Sequence, residues 1–422
     1  MATHPKSVNI TSFKGLNNVS SPENTAIDYL KKALNVNIDK TGNISKRKGY
    51  SKVANGSWGT IWASQNGLGC YGSLDNNLVQ VYPDYSTVLL REDVGTSLSF
   101  EEIDGRIYYT SPSSNGIIFN GSERPWGIEK NHLSPSLSIT SGNLPPGIYQ
   151  VNFTYVYTDG RESGCSRASV IELTVNSGIT VQIPTHSDLG IVYARVYCSN
   201  QNGNTLYFSG LATLNSTYTI SSVSGLVDPL RFFNIDKAPK GHICKYYRGR
   251  MYVAQDNILW FSEPFQYDQF RLDSNYFEFP DKILEVMPVE DGIWIGSDRL
   301  YYLSGEEPEK FKRTLKEEIK IIPGTSTKVS GSYIHMDNTP IGYKWLVSSD
   351  LGIWVLFNQG LCINLTSQNI SLDSADSGTS IFLQDSGMNQ YLSILKTNEN
   401  PNNSVVGDLV ETQIIRNGVI IT

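Results

Sequence analysis

The chain has 422 residues, and its 34 Lys and Arg against 41 Asp and Glu give a formal net charge of 34 − 41 = −7. This mild acidity disfavours nucleic-acid binding, which needs clustered Lys and Arg to displace the counterions of phosphate groups. Aromatic residues make up 11% of the chain, with 24 Tyr, and there are 36 Gly. Such a composition favours many short strands joined by turns over a helical bundle, so we predict an all-β fold.

Residues 1–57 carry the signals of a short helix followed by a β-hairpin. Ser20 and Glu23 have the spacing of a capping box, and apolar residues then recur on one helical face as far as Leu34. Val36 and Ile38 alternate with polar residues before a Lys-Thr-Gly-Asn turn, which predicts the hairpin. The hairpin either only packs against the helix or also takes part in docking to a partner.

From residue 58 onward a hairpin pattern recurs along the chain. Each copy has a Gly, a run of alternating apolar and aromatic residues, a polar turn and a second alternating run. The copies span residues 69–82, 105–119, 249–261, 292–305 and 352–365, with a weaker sixth near residues 391–395. Repeated hairpins of this kind are typical of β-propeller blades, in which radial repetition leaves only short strand edges exposed. The alternatives are an open sandwich or several unrelated β domains.

Between the second and third copies the predicted strands become longer and more regular. Tyr149, Phe153 and Val181 belong to alternating runs, and about seven strands fit into residues 134–225. This length and rhythm predict a fibronectin- or immunoglobulin-like β-sandwich inserted into the propeller. The predicted domains are an N-terminal helix and hairpin segment (1–57), a first propeller part (58–133), the sandwich (134–225) and a second propeller part (226–422).

The sequence lacks the common motifs of serine hydrolases, P-loop proteins, zinc proteases and dinucleotide-binding enzymes. It contains five Cys with no C-x-x-C pair and five widely separated His, so neither a disulfide framework nor a zinc site is indicated. We interpret the cysteines as buried thiols of a protein folded in a reducing compartment, and the histidines as bystanders. We therefore predict no catalytic residues, no metal and no cofactor.

The sharpest indication of an enzyme is the run SSDLGIW at residues 348–354, which resembles the Asp-box turn of sialidase-type propellers. That turn is a structural part of a blade, so it supports the fold rather than glycoside hydrolysis. A glycosidase also needs two carboxylates that face one sugar. The available acids are Glu285, Glu290, Asp291 and Asp298. They form either such a catalytic pair or, more simply, a solvated acidic rim. The aromatic stretch 260–279 is either a carbohydrate-stacking platform or a packing and interface region, and we favour the second interpretation.

An ordered set of short motifs runs along nearly the whole chain. It begins with FKGLNN (13–18), a Ser-Pro-Glu helix start, ALNVNID (33–39), TGNI (41–44) and KRKGY (46–50). It continues through residues 147–164, 194–197 and 207–208 of the predicted sandwich and through residues 291–296, 300–305 and 323–325. In this order the motifs resemble the nozzle family of short-tailed bacteriophages, also called tail tubular protein B or tail stabilisation protein. The family-motif or docking residues that the resemblance implies are Gly15, Leu16, Asn17, Asn35, Asp39, Gly42, Arg47, Gly49 and Tyr50.

The resemblance implies a structural virion protein that forms a homohexameric ring at the end of the short tail. Such a ring docks to the tail adaptor protein and to a tail fibre or spike protein, closes the channel, and conducts DNA during ejection without binding it specifically. The resemblance also implies assembly in the cytoplasm of the host bacterium, no membrane insertion and no enzymatic activity. Two alternatives stay open: a propeller glycosidase or depolymerase, and a carbohydrate-binding receptor-recognition protein.

Overall fold

The computed structural model describes residues 9–31, 36–39, 41–46, 51–334, 339–366, 369–370, 375–385, 388–397, 414–416 and 419–421. These residues form 34 strands and three short 3-10 turns, at Pro22–Asn24, Pro308–Lys310 and Asn358–Gly360. None of the described segments is a helix of the length and apolarity that a membrane crossing requires. The chain divides into two compact units, which are Met1–Asn55 with Asp256–Ile258 and Glu278–Thr422 (the first unit), and Gly56–Gln255 with Leu259–Phe277 (the second unit).

The N-terminal segment contains the predicted hairpin but not the predicted helix. Strands β1 (Val36–Ile38) and β2 (Ile44–Lys46) pair antiparallel, which confirms the hairpin. In place of the helix there is only the three-residue 3-10 turn, whose N-cap position has no side-chain hydrogen bond. The backbone is already extended at Thr25, and Leu30 pairs with Leu16 in an isolated parallel bridge. The helix prediction is therefore wrong over the described residues, because contacts with a distant part of the chain replace the local helical hydrogen bonds.

Blades 1 and 2 of the propeller are four-stranded antiparallel sheets in the second unit, and in each of them the strands follow one another in chain order. Blade 1 consists of β3 (Trp58–Ala63), β4 (Cys70–Leu74), β5 (Asn77–Val81) and β6 (Thr87–Arg91). Blade 2 consists of β7 (Ser99–Ile103), β8 (Arg106–Thr110), β9 (Asn115–Phe119) and β10 (Ser122–Arg124). The predicted turn between β4 and β5 has positive φ angles at Asp75 and Asn76, of 51° and 68°. Asp and Asn tolerate that conformation, so the sequence dictates this turn directly.

A seven-stranded β-sandwich follows blade 2, as the alternating pattern predicts. Its strands are β11 (Ser136–Leu144), β12 (Gly147–Tyr157), β13 (Ser169–Leu173), β14 (Ser177–Ile183), β15 (Ile191–Ser199), β16 (Leu206–Ala212) and β17 (Ser216–Ile220). One sheet has the order β11-β14-β17 and the other β13-β12-β15-β16. Alternate residues of facing strands, including Phe153, Val181 and Val196, are fully buried in one shared core. The burial of both inner faces is what makes the two sheets a sandwich.

The chain then returns to the propeller and forms four more blades. Blade 3, in the second unit, has β18 (Ile243–Tyr247), β19 (Arg250–Gln255), β20 (Ile258–Glu263) and β21 (Gln266–Phe270), with β22 (Tyr276–Glu278) paired to β20. Blade 4, in the first unit, has β23 (Glu285–Val289), β24 (Gly292–Gly296), β25 (Leu300–Ser304) and β26 (Lys312–Glu317). Blade 5 has β27 (Thr327–Val329), β28 (Lys344–Ser349), β29 (Gly352–Leu356) and β30 (Cys362–Asn364).

Blade 6 departs from the simple strand order of the other blades. Its strands are β31 (Ala375–Asp385), β32 (Met388–Thr397), β33 (Ile414–Arg416) and β34 (Val419–Ile421). Their order in the sheet is β31-β32-β34-β33, and β34 runs parallel to β32. The long hairpin of β31 and β32 corresponds to the weak sixth copy of the sequence pattern.

Neighbouring blades within each unit pack face to face through buried aromatic and aliphatic side chains. In the second unit, Trp62 of blade 1 stacks on Phe100 of blade 2, with ring centroids 5.5 Å apart. In the first unit, the indole N–H of Trp345 in blade 5 donates to the carbonyl of Pro288 in blade 4 at 2.7 Å. Successive four-stranded antiparallel sheets with buried facing sides are the blades of a β-propeller, so the chain is an all-β propeller with an inserted sandwich.

Candidate functional site

Three of the predicted docking residues, Gly15, Leu16 and Asn17, lie together on the first unit. The Leu16 side chain is 9% exposed and belongs to the buried cluster that includes Val355 of blade 5 and Tyr391 of blade 6. On either side of Leu16, the carbonyl of Gly15 accepts from the Leu30 N–H at 2.8 Å, and the Asn17 N–H donates to the Leu30 carbonyl at 2.9 Å. The motif therefore anchors the N-terminal segment to blades 5 and 6.

Asn17 and its neighbour Asn18 hold the chain after this anchor. The Asn17 side-chain carbonyl accepts from the Ser20 N–H at 3.0 Å, which closes a tight turn. The Asn18 N–H donates to the carbonyl of Asn369, between β30 and β31, at 3.0 Å. The two asparagines of the motif therefore stabilise the local fold. Ser20, which the sequence suggested as a helix cap, instead donates its backbone N–H to Asn17.

Asp39 and Gly42 shape the hairpin between β1 and β2. Asp39 accepts hydrogen bonds from the Thr41 hydroxyl at 2.6 Å and from the backbone N–H groups of Thr41 and Asn43 at 2.8 and 2.9 Å. These hydrogen bonds, led by the one from the Thr41 hydroxyl, lower the pKa of Asp39 to about 2. Gly42 has a φ of 84°, and a Cβ there would lie 2.6 Å from the Cβ of Ser12. Only glycine fits this close crossing of two chain segments.

A polar cavity of about 340 Å³ lies beside these residues, and it is lined by Ser12, Phe13, Lys14, Tyr29, Asp39, Thr41 and Gly42. The Lys14 ammonium pairs with Asp28 at 2.6 Å, and this contact raises the pKa of Lys14 and lowers that of Asp28. All three residues of β2 are exposed. The structure therefore brings Gly15, Leu16, Asn17, Asp39 and Gly42 into one segment with an open outer surface. Asn35, Arg47, Gly49 and Tyr50 lie outside the described residues.

The acids considered for glycoside hydrolysis accept hydrogen bonds from loops of the first unit. Glu285 is 6% exposed and accepts from the Gly324 N–H and the Ser326 hydroxyl, both at 2.6 Å. Glu290 accepts from the Tyr343 N–H at 2.7 Å. Glu285 thus holds the loop that connects blades 4 and 5, and Glu290 holds the connection between β27 and β28 within blade 5, so both carboxylates stabilise the fold.

Asp291 and Asp298 have similar roles. Asp291 accepts from the Tyr302 hydroxyl at 2.6 Å and from the Gln359 N–H at 2.9 Å. Asp298 accepts from the Tyr301 hydroxyl at 3.1 Å. Both carboxylates therefore orient tyrosines of β25, which is a structural use.

The Asp-box-like run forms the hairpin turn between β28 and β29. The Ser349 hydroxyl accepts from the Leu351 N–H and from the indole N–H of Trp354, both at 3.0 Å. The Asp350 carboxylate accepts from the Lys320 N–H at 3.2 Å. Serine, aspartate and tryptophan thus stabilise a blade turn.

Cysteine and histidine side chains form no metal-binding group within the described part of the chain. All five cysteines are free thiols, three buried and two partly exposed. Burial raises the pKa of the Cys165, Cys198, Cys244 and Cys362 thiols to about 12 in each case. Such thiols stay protonated at neutral pH and are poor nucleophiles.

A second polar cleft, of about 240 Å³, lies where the sandwich meets blade 3. Its walls are the turn after β12, residues 159–162, and strand β21 with Gln266, Asp268 and Gln269. The sequence indicates for residues 260–279 either a carbohydrate-stacking platform or, as we favour, a packing and interface region. Nothing in the local pattern shows that these two segments meet, because they are about a hundred residues apart.

No family model matches the chain, and no curated protein matches it. Among solved structures, BBS1N in complex with ARL6DN is similar at 8% identity and a TM-score of 0.33, over 86% of this chain and 94% of that chain. The Neurospora crassa Pan2 WD40 domain is similar at 9% identity and a TM-score of 0.32, over 81% and 86%. Saccharomyces cerevisiae Sqt1 gives 11% identity and a TM-score of 0.29, over 76% and 77%. These TM-scores are too low to support a conclusion, so the propeller assignment depends on the strand order and pairing described above.

Proposed function

We propose that this chain is a structural, non-enzymatic protein of a short bacteriophage tail, where it forms the nozzle. In this role six copies make a closed ring in the virion, which blocks the tail channel until DNA is ejected. The ring binds the tail adaptor protein on one side and a fibre or spike protein elsewhere. It is assembled in the host cytoplasm and is not inserted into a membrane.

The observation that carries the proposal is the order of parts along one chain. An N-terminal segment with the FKGLNN motif is anchored on blades 5 and 6, and a seven-stranded sandwich lies between blades 2 and 3. This is the arrangement that the resemblance to nozzle proteins implies. Propeller blades are stiff and have protected edges, so they are suited to the wall of a ring built from head-to-tail contacts.

Net charge also supports a role as a DNA conduit. A ring of six copies has a formal charge of 6 × −7 = −42. DNA is a polyanion, so an acidic wall lets it pass without adhesion. The structural use of Glu285, Glu290, Asp291 and Asp298 described above agrees with a non-enzymatic role.

Electron microscopy of the purified chain, alone and mixed with the adjacent tail adaptor, tests the proposal. We expect six-fold rings, either spontaneous or induced by the adaptor. A chain that stays monomeric in the presence of the adaptor and releases reducing sugar from a bacterial polysaccharide would contradict the proposal and favour the glycosidase alternative.

Adaptor contact can be tested separately on the exposed strand β2. The substitution Ile44→Asp places a charge on a side chain that is 39% exposed, so the fold should be kept while adaptor binding is lost. Ile139→Asp, at a 58% exposed position on the sandwich, is the matched control and should leave adaptor binding unchanged. Equal binding by both variants would exclude β2 from the adaptor interface.

A further inference from the structure

The cleft between the sandwich and blade 3 contains a buried side chain that the fold does not explain. Gln269 lines the cleft and is only 7% exposed, yet none of the residues that the structure describes forms a hydrogen bond with its side-chain amide. The amide atoms are still accessible to water in the cleft, so they can form hydrogen bonds with a ligand that enters it.

Two charged side chains in the same cleft are also incompletely satisfied. Arg161 and Asp268 approach each other, but the distance from Arg161 Nη1 to Asp268 Oδ2 is 3.8 Å, which is too long for a hydrogen bond. Arg161 Nη2 is buried and has no hydrogen-bond partner among the described residues. The rest of the Arg161 guanidinium group is held by two acceptors. These are the Asp159 carboxylate, 3.0 Å from Arg161 Nε, and the carbonyl of Pro125. The pair therefore leaves one buried guanidinium donor, Arg161 Nη2, without a close partner.

The chemistry of these groups restricts the ligand. An amide needs both an acceptor and a donor opposite it. Three carboxylates and one guanidinium group line the cleft, and they disfavour an anionic ligand. Asp159 and Glu162 are already paired with arginines, so little unpaired charge is left to hold a cation. A hydroxyl group both donates and accepts hydrogen bonds, so several hydroxyls on one small frame fulfil all these requirements. Phe232, which also lines the cleft, offers an aromatic surface to the apolar face of such a frame.

We propose that this cleft binds one neutral sugar ring. Its volume of about 240 Å³ is below the range of roughly 300–1,000 Å³ that is usual for drug-sized ligands, so we assign it one ring rather than a larger ligand. The site is a binding site only, and no reaction is assigned to it. The proposal does not depend on the tail function, because the cleft lies within one chain and within the second unit.

Saturation-transfer NMR on the full chain tests the proposal with four probes: glucose, galactose, mannose and N-acetylglucosamine. We expect at least one of them to bind with a Kd of about 1–10 mM, which is reasonable for one ring with few contacts. The decisive variant is Gln269→Leu, which keeps the side-chain size and removes the amide. We expect it to weaken sugar binding by at least about tenfold.

The same variant should not reduce the melting temperature, because the Gln269 amide forms no hydrogen bond with the described residues that the substitution could remove. Gln65→Leu, at an exposed position in the loop between β3 and β4, is the matched control and should leave sugar binding unchanged. Gln266→Ala removes an exposed lining residue and should also weaken binding, which gives a second test that does not touch the buried part of the cleft.

Two results would overturn the proposal. The first is the absence of saturation transfer from the folded wild-type chain to any of the four sugars, or transfer that is equal in the wild type and in Gln269→Leu. The second is binding of N-methylacetamide at the cleft without binding of any sugar, which would assign the site to a peptide group. A negative result for sugar binding would not change the expected six-fold ring in electron microscopy, so the failure of one proposal can be distinguished from the failure of the other.

Discussion

At the scale of single residues, the turns show most directly how sequence determines conformation. Asp104 and Asn120 have positive φ angles of 50° in the turns that follow β7 and β9, and each is followed by a Gly. Asp, Asn and Gly are the residues that adopt this left-handed region at least cost. Phe265, in the turn between β20 and β21, is an exception with a φ of 57° and a side chain that is 73% exposed.

Phe265→Asn should therefore stabilise the protein. A non-glycine residue in the left-handed region costs about 1 kcal/mol, and Asn relieves much of that cost because its side chain can hydrogen-bond locally. We expect the free energy of unfolding to rise by about 0.5–1 kcal/mol, measured by urea denaturation. Phe265→Ala is the control, since it removes the ring and keeps the strain. An Asn variant that is no more stable than the Ala variant would contradict the prediction, and a loss of stability in both variants relative to the wild type would show that the ring matters at this site.

At the scale of elements, ion pairs connect the inserted sandwich to the propeller. Arg124 at the end of blade 2 pairs with Asp159 of the sandwich at 2.8 Å. Lys130 and Asp236, in the two linkers that lead into and out of the sandwich, pair at 2.7 Å. Burial opposes ionisation of Asp159, but the hydrogen bonds and charges of Arg161 and Arg124 outweigh it and lower the pKa. Several charged contacts therefore attach the sandwich to the propeller.

The stability of this junction should depend on pH through Asp268. Burial raises the pKa of Asp268, the nearby charge of Asp159 adds to the rise, and the charges of Arg161 and Arg106 offset it only in part. A carboxyl group whose folded-state pKa exceeds its unfolded value contributes stability at low pH that is lost as the pH rises through the folded-state pKa.

Asp268→Asn removes this titration, so the stability of the variant relative to the wild type should increase between about pH 4 and pH 8. Urea denaturation at several pH values measures the difference. The exposed Asp273→Asn, three residues after β21, is the control. If the free energy of unfolding of Asp268→Asn minus that of the wild type decreases as the pH rises, the assigned direction of the Asp268 pKa shift is contradicted.

The N-terminal segment should contribute to the stability of the first unit. Leu16 is buried in the cluster between blades 5 and 6, and Leu16→Ala should cost about 2–3 kcal/mol in the free energy of unfolding. Val19→Ala, at a position that is 50% exposed, is the control and should cost less than about 0.5 kcal/mol. Similar costs for both variants, measured by urea denaturation, would mean that the segment is not anchored by Leu16.

At the scale of the whole molecule, the acidic charge gives a prediction about DNA. A protein with a formal charge of −7 should not retard duplex DNA in a gel-shift assay, even at a low salt concentration of about 50 mM, where electrostatic attraction is strongest. A basic DNA-binding protein in the same buffer is the control. Retention of DNA by the purified chain would contradict its proposed role as a conduit without adhesion.

Most of the fold follows from local sequence patterns. Period-two alternation located five of the seven sandwich strands, β12 to β16, and the repeated hairpins located β4 with β5, β8 with β9, β19 with β20, and β24 with β25. In blade 5 the repeat corresponds to β29 and β30, one strand later in the sheet than in the earlier blades. Alternation shows that a segment is a strand, but the position of that strand within its sheet is set by its partners.

Local patterns are therefore enough to predict the all-β class, the turns and the inserted sandwich, because strand alternation and turn chemistry are local properties. The conformation of residues 20–30 and the surroundings of Gln269 depend instead on contacts between segments that are separated along the chain. Local signals favoured a helix at Ser20 and Glu23, but backbone pairing of Leu30 with Gly15 and Asn17 replaced it. Gln269 lies about a hundred residues from the turn that completes its cleft, and burial among such distant segments is a property of packing that no local pattern records.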